Sequence, residues 1–139
     1  MNRDAEWARS RFAEARVGRL ATVSPDGRPH LVPMAFALTA SGLVSAVDDK
    51  PKRTTALRRL ANIAANPAVS VLVDDYEEDW TRLWWARADG RAQIRAASAA
   101  SDAITALTAR YPQYREHPPT GPVIVIDVRR WAGWSASTE

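Results

Sequence analysis

The sequence predicts a mainly β fold with flanking helices (α+β), its strands paired antiparallel and closed into a small barrel or completed by a second subunit. Three observations lead there. Six stretches have strand character, and most are joined by turns too short for a parallel crossover. Three further stretches place apolar residues at helical spacing. The second and third strands are apolar on both faces, which requires cover from two sides.

The elements follow in order. Residues 4–16 carry Ala5, Ala8, Phe12 and Ala15 at i, i+3, i+7 spacing with Trp7 beside them, so a helix is expected there, stopped by Gly18. "RLATVS" (19–24) reads as a strand, "PDGR" (25–28) as a tight turn and "PHLVPMAFAL" (29–38) as the returning strand. Pro33 cannot donate to a ladder, so it belongs at an edge, a bulge or a bend. A turn at 41–42 leads to a third strand over 43–48. Leu57, Leu60, Ala61 and Ala64 mark a second helix from Thr54 to Ala65, capped by Thr54 or Thr55 and ended by Asn66-Pro67. Strands are expected over 68–74 and 82–94, the latter bending at Gly90. A third helix over 98–110, a proline-rich loop and a last strand over 123–131 complete the chain. With no internal repeat, low-complexity segment or linker, residues 1–139 read as one domain.

Composition narrows the function. The chain has no cysteine, which removes disulfides, thiolate metal sites and cysteine nucleophiles. No apolar run approaches the roughly 20 residues that cross a bilayer, so no membrane partner is expected. The charged N-terminal stretch does not resemble a secretory signal, and a cytoplasmic location is expected. Net charge is +3, but five of the six residues in "DDYEED" (74–79) are acidic, which argues against the broad basic face that nucleic acid requires. That run lacks EF-hand spacing and reads as a solvated loop or a partner for basic residues of a second subunit.

The strongest chemical signal is "DDKPKRTTALRRL" (48–60). Lys50, Lys52 and Arg53 precede a helix whose N-terminus is itself partially positive. Free backbone N–H groups, these cations and the Thr54 hydroxyl together make a phosphate site, although Asp48 and Asp49 could instead neutralise the lysines. Elsewhere the signals are bland. Trp84 and Trp85 must face opposite sides of a strand, one toward the core and the other toward a groove or interface. His30 and His117 are too few for a zinc site, and Ser24, Ser45 and Ser70 lack a nucleophile elbow. No conventional catalytic constellation is present.

Taken together, "GRLATVSPDGRPHLVPMAFAL", "DDKPKRT", "NPAVSVLVDDYEEDW", "LWWARADG" and "GWSAS" resemble the split β-barrel family related to pyridoxamine 5'-phosphate oxidase, and within it the coenzyme F420-dependent branch of actinobacteria. The resemblance implies a six-stranded antiparallel split β-barrel that forms a homodimer, with a cofactor in each of two interface grooves. It would set Val32, Pro33 and Met34 beside the cofactor ring, place the cofactor phosphate on Lys50, Lys52, Arg53 and Thr54, and line the groove or subunit contact with Trp84 and Trp85. The oxidase's own substrate-binding arginine and histidine pattern is missing from "RRWAGWSAS". The expected activity is therefore hydride transfer from reduced F420 to a small unsaturated organic substrate. FMN binding with flavin reductase or oxidase activity, a non-catalytic F420 carrier and a plain dimeric structural protein are the alternatives.

Overall fold

In a computed structural model of the protein, the described residues are 1–47 and 53–137, with the side chains of 53–57 outside that description. In chain order the elements are β1 (Asn2–Arg3), α1 (Ala5–Glu14), β2 (Gly18–Val23), β3 (Pro29–Met34), β4 (Ala37–Leu38), β5 (Gly42–Ala46), α2 (Arg53–Ala65), β6 (Ala68–Asp75), β7 (Trp84–Arg95), α3 (Ser101–Arg110), α4 (Pro112–Glu116) and β8 (Val123–Ser135). The mainly β class with flanking helices is what the sequence predicts. The strand count is not: among the described residues there are eight strands, in one antiparallel sheet, rather than six.

Strand order is β3-β2-β6-β7-β8-β5-β4, with β1 beside the end of β8. The two strands at the ends of this order are consecutive in sequence. The single strand expected over 29–38 breaks at Ala35-Phe36, so one segment supplies both edges and curls the sheet into a half-barrel. At the break the ladder is lost, and the Ser45 hydroxyl donates to the Ala35 carbonyl at 2.6 Å. Phe36 is fully buried there, against Phe12 of α1 at 5.6 Å between ring centres.

Pro33 sits on an edge, as its missing N–H requires. Ser24 N–H bonds the Arg28 carbonyl at 2.9 Å, which fixes the alternation of the β2–β3 ladder. Pro33 faces Arg19 in a pair that exchanges no hydrogen bond. Its ring therefore points its nitrogen away from β2 and costs the ladder nothing. Pro29 stands the same way, so Leu31 offers the one outward N–H of β3, which blunts this edge against strand addition.

Three boundaries differ from expectation for physical reasons. α1 ends at Glu14, its N-cap Asp4 accepting from Trp7 N–H at 2.8 Å, and Gly18 does not stop it. Gly18 opens β2, where a Cβ would come within 2.8 Å of Val71. α2 starts at Arg53, so Thr54 and Thr55 lie inside its first turn rather than at the cap. The proline-rich loop holds α4, with Pro112 at the position where a missing N–H is harmless. β7 and β8 pair over their length with a register shift at Asp89/Gly90, the bend expected at Gly90.

The core has two parts. Inside the curl, Leu20, Met34, Val71 and Ile126 pack with Phe12 of α1 and Ile63 of α2. Outside β5 and β8, Ala103 and Leu107 of α3 cover Val44 and Val123. Truncating a residue such as Phe12 to alanine would cost about 3–5 kcal/mol. No helix among the described residues is long and apolar enough to cross a membrane.

Candidate functional site

One face of the β3–β2–β6–β7 surface carries no helix. Alternation sends Val69, Val71 and Val73 inward and leaves Ser70, Leu72 and Asp74 outside, where Leu72 stands between Arg19 and Arg87 and Asp74 stands opposite Trp85. Leu72, Asp74, Tyr76, Trp85 and Arg87 enclose a shallow cleft of about 370 Å³. Its polar groups are pinned. Asp89 holds Arg87 Nε at 3.0 Å and accepts from the Ser70 hydroxyl at 2.7 Å, while Arg87 stacks on Trp85 with its guanidinium carbon 5.5 Å from the ring centre. Large apolar groups stand bare on this face, Leu31 at 67% exposed and Tyr76 at 66%, and Trp80 in the turn before β7 is 75% exposed.

The two tryptophans divide as alternation demands. Trp84 packs against the inner core and meets Trp7 edge to face, whereas Trp85 lines the outer cleft. The second-strand triad also divides. Val32 and Met34 are buried in the core, so only their backbone borders the outer edge, and Pro33 is exposed on the same face as Leu31. Lys50 and Lys52 lie outside the described residues. Arg53 and Thr54 form the first turn of α2, with their side chains outside the description.

Beneath α2 lies a polar group that the sequence reading missed. Asn62 Nδ2 donates to Thr22 Oγ1 at 3.0 Å in a fully buried bond. His30 pairs with Thr22 across β2–β3 and projects to the same side. Arg59, three residues before Asn62, lies on the same face of α2. Arg59 Nε and His30 Nδ1 are both shielded from solvent and have no hydrogen-bond partner among the described residues. Burial lowers the pKa of Arg59, because the charged form loses water. No carboxylate among the described residues forms an ion pair with it. The available signal was the interruption of the Leu60/Ile63 apolar stripe by Arg59 and Asn62. No group of histidines and carboxylates among the described residues could hold a metal ion.

A family model described as pyridoxamine 5'-phosphate oxidase matches residues 5–135. The chain belongs to that family. No curated relative matches it. Among solved structures, the conserved hypothetical protein Rv2991 of Mycobacterium tuberculosis is similar at 24% identity, covering 96% of this chain and 85% of that one with a TM-score of 0.74. An FAD-binding protein of Mesorhizobium loti is 22% identical over 96% and 95% of the two chains, with a TM-score of 0.71. The heme storage protein HutZ of Vibrio cholerae is 16% identical over 96% and 95%, with a TM-score of 0.68. At these identities the likeness is one of fold.

Proposed function

We propose that this member of the pyridoxamine 5'-phosphate oxidase family is a homodimeric oxidoreductase that uses coenzyme F420 to pass a hydride to a small unsaturated organic substrate. The observation that carries this reading is the Arg59 Nε on the inward face of α2, shielded from solvent with no hydrogen-bond partner among the described residues. It stands on the same helix that Lys50, Lys52, Arg53 and Thr54 introduce, and an anionic cofactor supplies the partner it lacks. The chemistry of the donor set therefore fits a phosphate-bearing deazaflavin or flavin. The bare face with Leu31, Tyr76 and Trp80 supplies the dimer contact, which would place Trp85 and the backbone of Val32, Pro33 and Met34 at the interface groove.

When bound, the deazaflavin supplies the hydride. The residues of this chain would bind and orient it: Lys50, Lys52, Arg53, Thr54 and Arg59 would hold the phosphate, the β3 edge would offer backbone groups to the ring, and Trp85 would line the groove. The proton that completes the reduction would come from solvent, so no dedicated acid or base is demanded of the protein. FMN is the alternative cofactor, and the FAD-binding neighbour supports it; a carrier without turnover is the alternative role.

The test is a fluorescence titration of apo-protein with F420 and, separately, with FMN at low and high salt. Tighter F420 binding that weakens with salt is expected, followed by reduction of an enone, quinone or nitro compound. Preference for FMN would replace the cofactor assignment, and binding without turnover would make the protein a carrier. Binding of heme alone would overturn the reading.

A further inference from the structure

Trp84 opens onto a second cleft, on the other side of β7 from Trp85. It holds about 760 Å³ between α1, the turn at Trp80–Arg82 and the end of β8, and is lined by Trp7, Arg11, Thr81, Arg82, Trp84 and Ser135. No carboxylate among the described residues lines it. The guanidinium carbon of Arg11 lies 4.9 Å from the Trp7 ring centre and 5.1 Å from that of Trp84, and the two rings meet at 6.2 Å and 89°. Arg3 also stacks on Trp7, at 4.9 Å, and donates to the Ser135 hydroxyl.

Two guanidiniums, Arg11 and the 70% exposed Arg82, thus border the cleft, with that of Arg3 beside them on Trp7. The carboxylate partner of Arg11, Glu14 at 3.3 Å, is 74% exposed, and the Arg11 Nε is shielded from water with no acceptor among the described residues. Arg82 is held by Glu77 at 3.4 Å. Arg11 lies over both rings and spends one Nη1 donor on Glu14, so further guanidinium N–H groups are left for an oxyanion. Because the rings already fix this side chain, little rotamer freedom remains to be lost on binding.

We infer that this cleft binds a small multivalent oxyanion, a phosphate ester or a di- or tricarboxylate, on Arg11 and Arg82. Each guanidinium keeps N–H donors beyond the one its own carboxylate takes, an anion with several acceptor oxygens can use both, and the volume admits a ligand larger than a single inorganic ion. The cleft lies across β7 from Trp85, has no lining residue from α2 among the described residues and does not depend on the cofactor reading.

The experiment follows the indole N–H signals of 15N-labelled protein, from its six tryptophans, during titration with pyrophosphate at low salt. Trp7 and Trp84 are expected to move on one saturable curve while Trp85 stays still, and citrate is expected to compete. Arg11→Gln and Arg82→Gln should each weaken binding by about tenfold or more. Arg82 touches neither ring, so its replacement keeps the test valid if Arg11→Gln disturbs packing. No saturable shift at Trp7 and Trp84, or unchanged affinity in both variants, overturns the inference. Loss of the signal in Arg59→Gln would assign the anion to α2 and overturn it too, leaving the cofactor reading intact.

Discussion

The hydroxyl of Tyr111 engages both backbone groups of Phe36, accepting from its N–H at 2.9 Å and donating to its carbonyl at 2.7 Å. Phe36 lies at the break between β3 and β4, where neither neighbouring strand can satisfy those groups. Tyr111 therefore replaces a missing rung of the sheet and ties the end of α3 to the place where the half-barrel turns. Tyr111→Phe keeps the ring and its 5.6 Å contact with Tyr114 but leaves a buried N–H and carbonyl unpaired. The expected loss is about 1–3 kcal/mol in urea-induced unfolding. A change below a few tenths would mean that water substitutes for the hydroxyl.

Thr22 and Asn62 form the buried polar contact between β2 and α2, at 3.0 Å. Thr22→Val preserves shape and strands the Asn62 amide, so it is expected to cost about 1–3 kcal/mol. Thr22→Val with Asn62→Leu removes both partners and is expected to recover most of that loss. Strict additivity of the two single substitutions in denaturant melts would show that the bond is not what couples the helix to the strand.

Gly133 allows α1 to lie close on β8. A Cβ there would come within 2.6 Å of Trp7 Cζ3 and 3.3 Å of the Ala8 Cβ. Gly133→Ala must push the helix away, at a cost of about 1–3 kcal/mol for the overpacked contact. Adding Trp7→Leu makes room and is expected to return part of the stability. Near-UV circular dichroism should register the Trp7–Trp84 pair loosening in the single variant.

Asp79 caps the short turn over Trp80–Arg82, accepting from the Thr81 hydroxyl at 2.6 Å and the Thr81 N–H at 3.0 Å. The side-chain bond first, then the backbone bond, holds its pKa below the usual carboxylate value. A depressed folded-state pKa gives a contribution that is complete above the unfolded value and lost as pH falls through the folded one. A carboxyl-carbon NMR titration is expected to place the Asp79 inflection below the ordinary range, and Thr81→Val is expected to move it upward. An unchanged inflection in that variant would assign the shift to the backbone N–H at position 81 and to Arg82 instead.

Much of this fold is written in local pattern. The "PDG" turn, the Val69/Val71/Val73 alternation and the apolar stripe of α3 each commit one element with little help from the rest of the chain. What was not legible depends on contacts far apart in sequence. The break at Ala35-Phe36 exists because Ser45 and Tyr111 accommodate it, and neither partner is visible from residues 29–38 alone. The two-residue strand β1 is defined only by its pairing with Gly133 and Trp134. The same holds for the site. Lys50, Lys52 and Arg53 announce themselves as a charge run, whereas Arg59 looks like one more surface arginine beside Arg58. Only its place above Thr22 and beside Asn62 shows that it faces inward.

That position makes Arg59 the sharper probe of cofactor binding. Without a ligand it is a half-buried cation with no ion-pair partner among the described residues, so Arg59→Gln should leave the apo-protein equally stable or slightly more so. With F420 it should lose one charge-assisted contact and about tenfold or more in affinity. Lys52→Ala is expected to weaken binding in the same direction, and by more than His30→Ala does. The discriminating result is therefore a pair of measurements on one variant: thermal stability held or raised, cofactor affinity lost. Loss of both would make Arg59 a structural residue, and loss of neither would remove the phosphate from this helix.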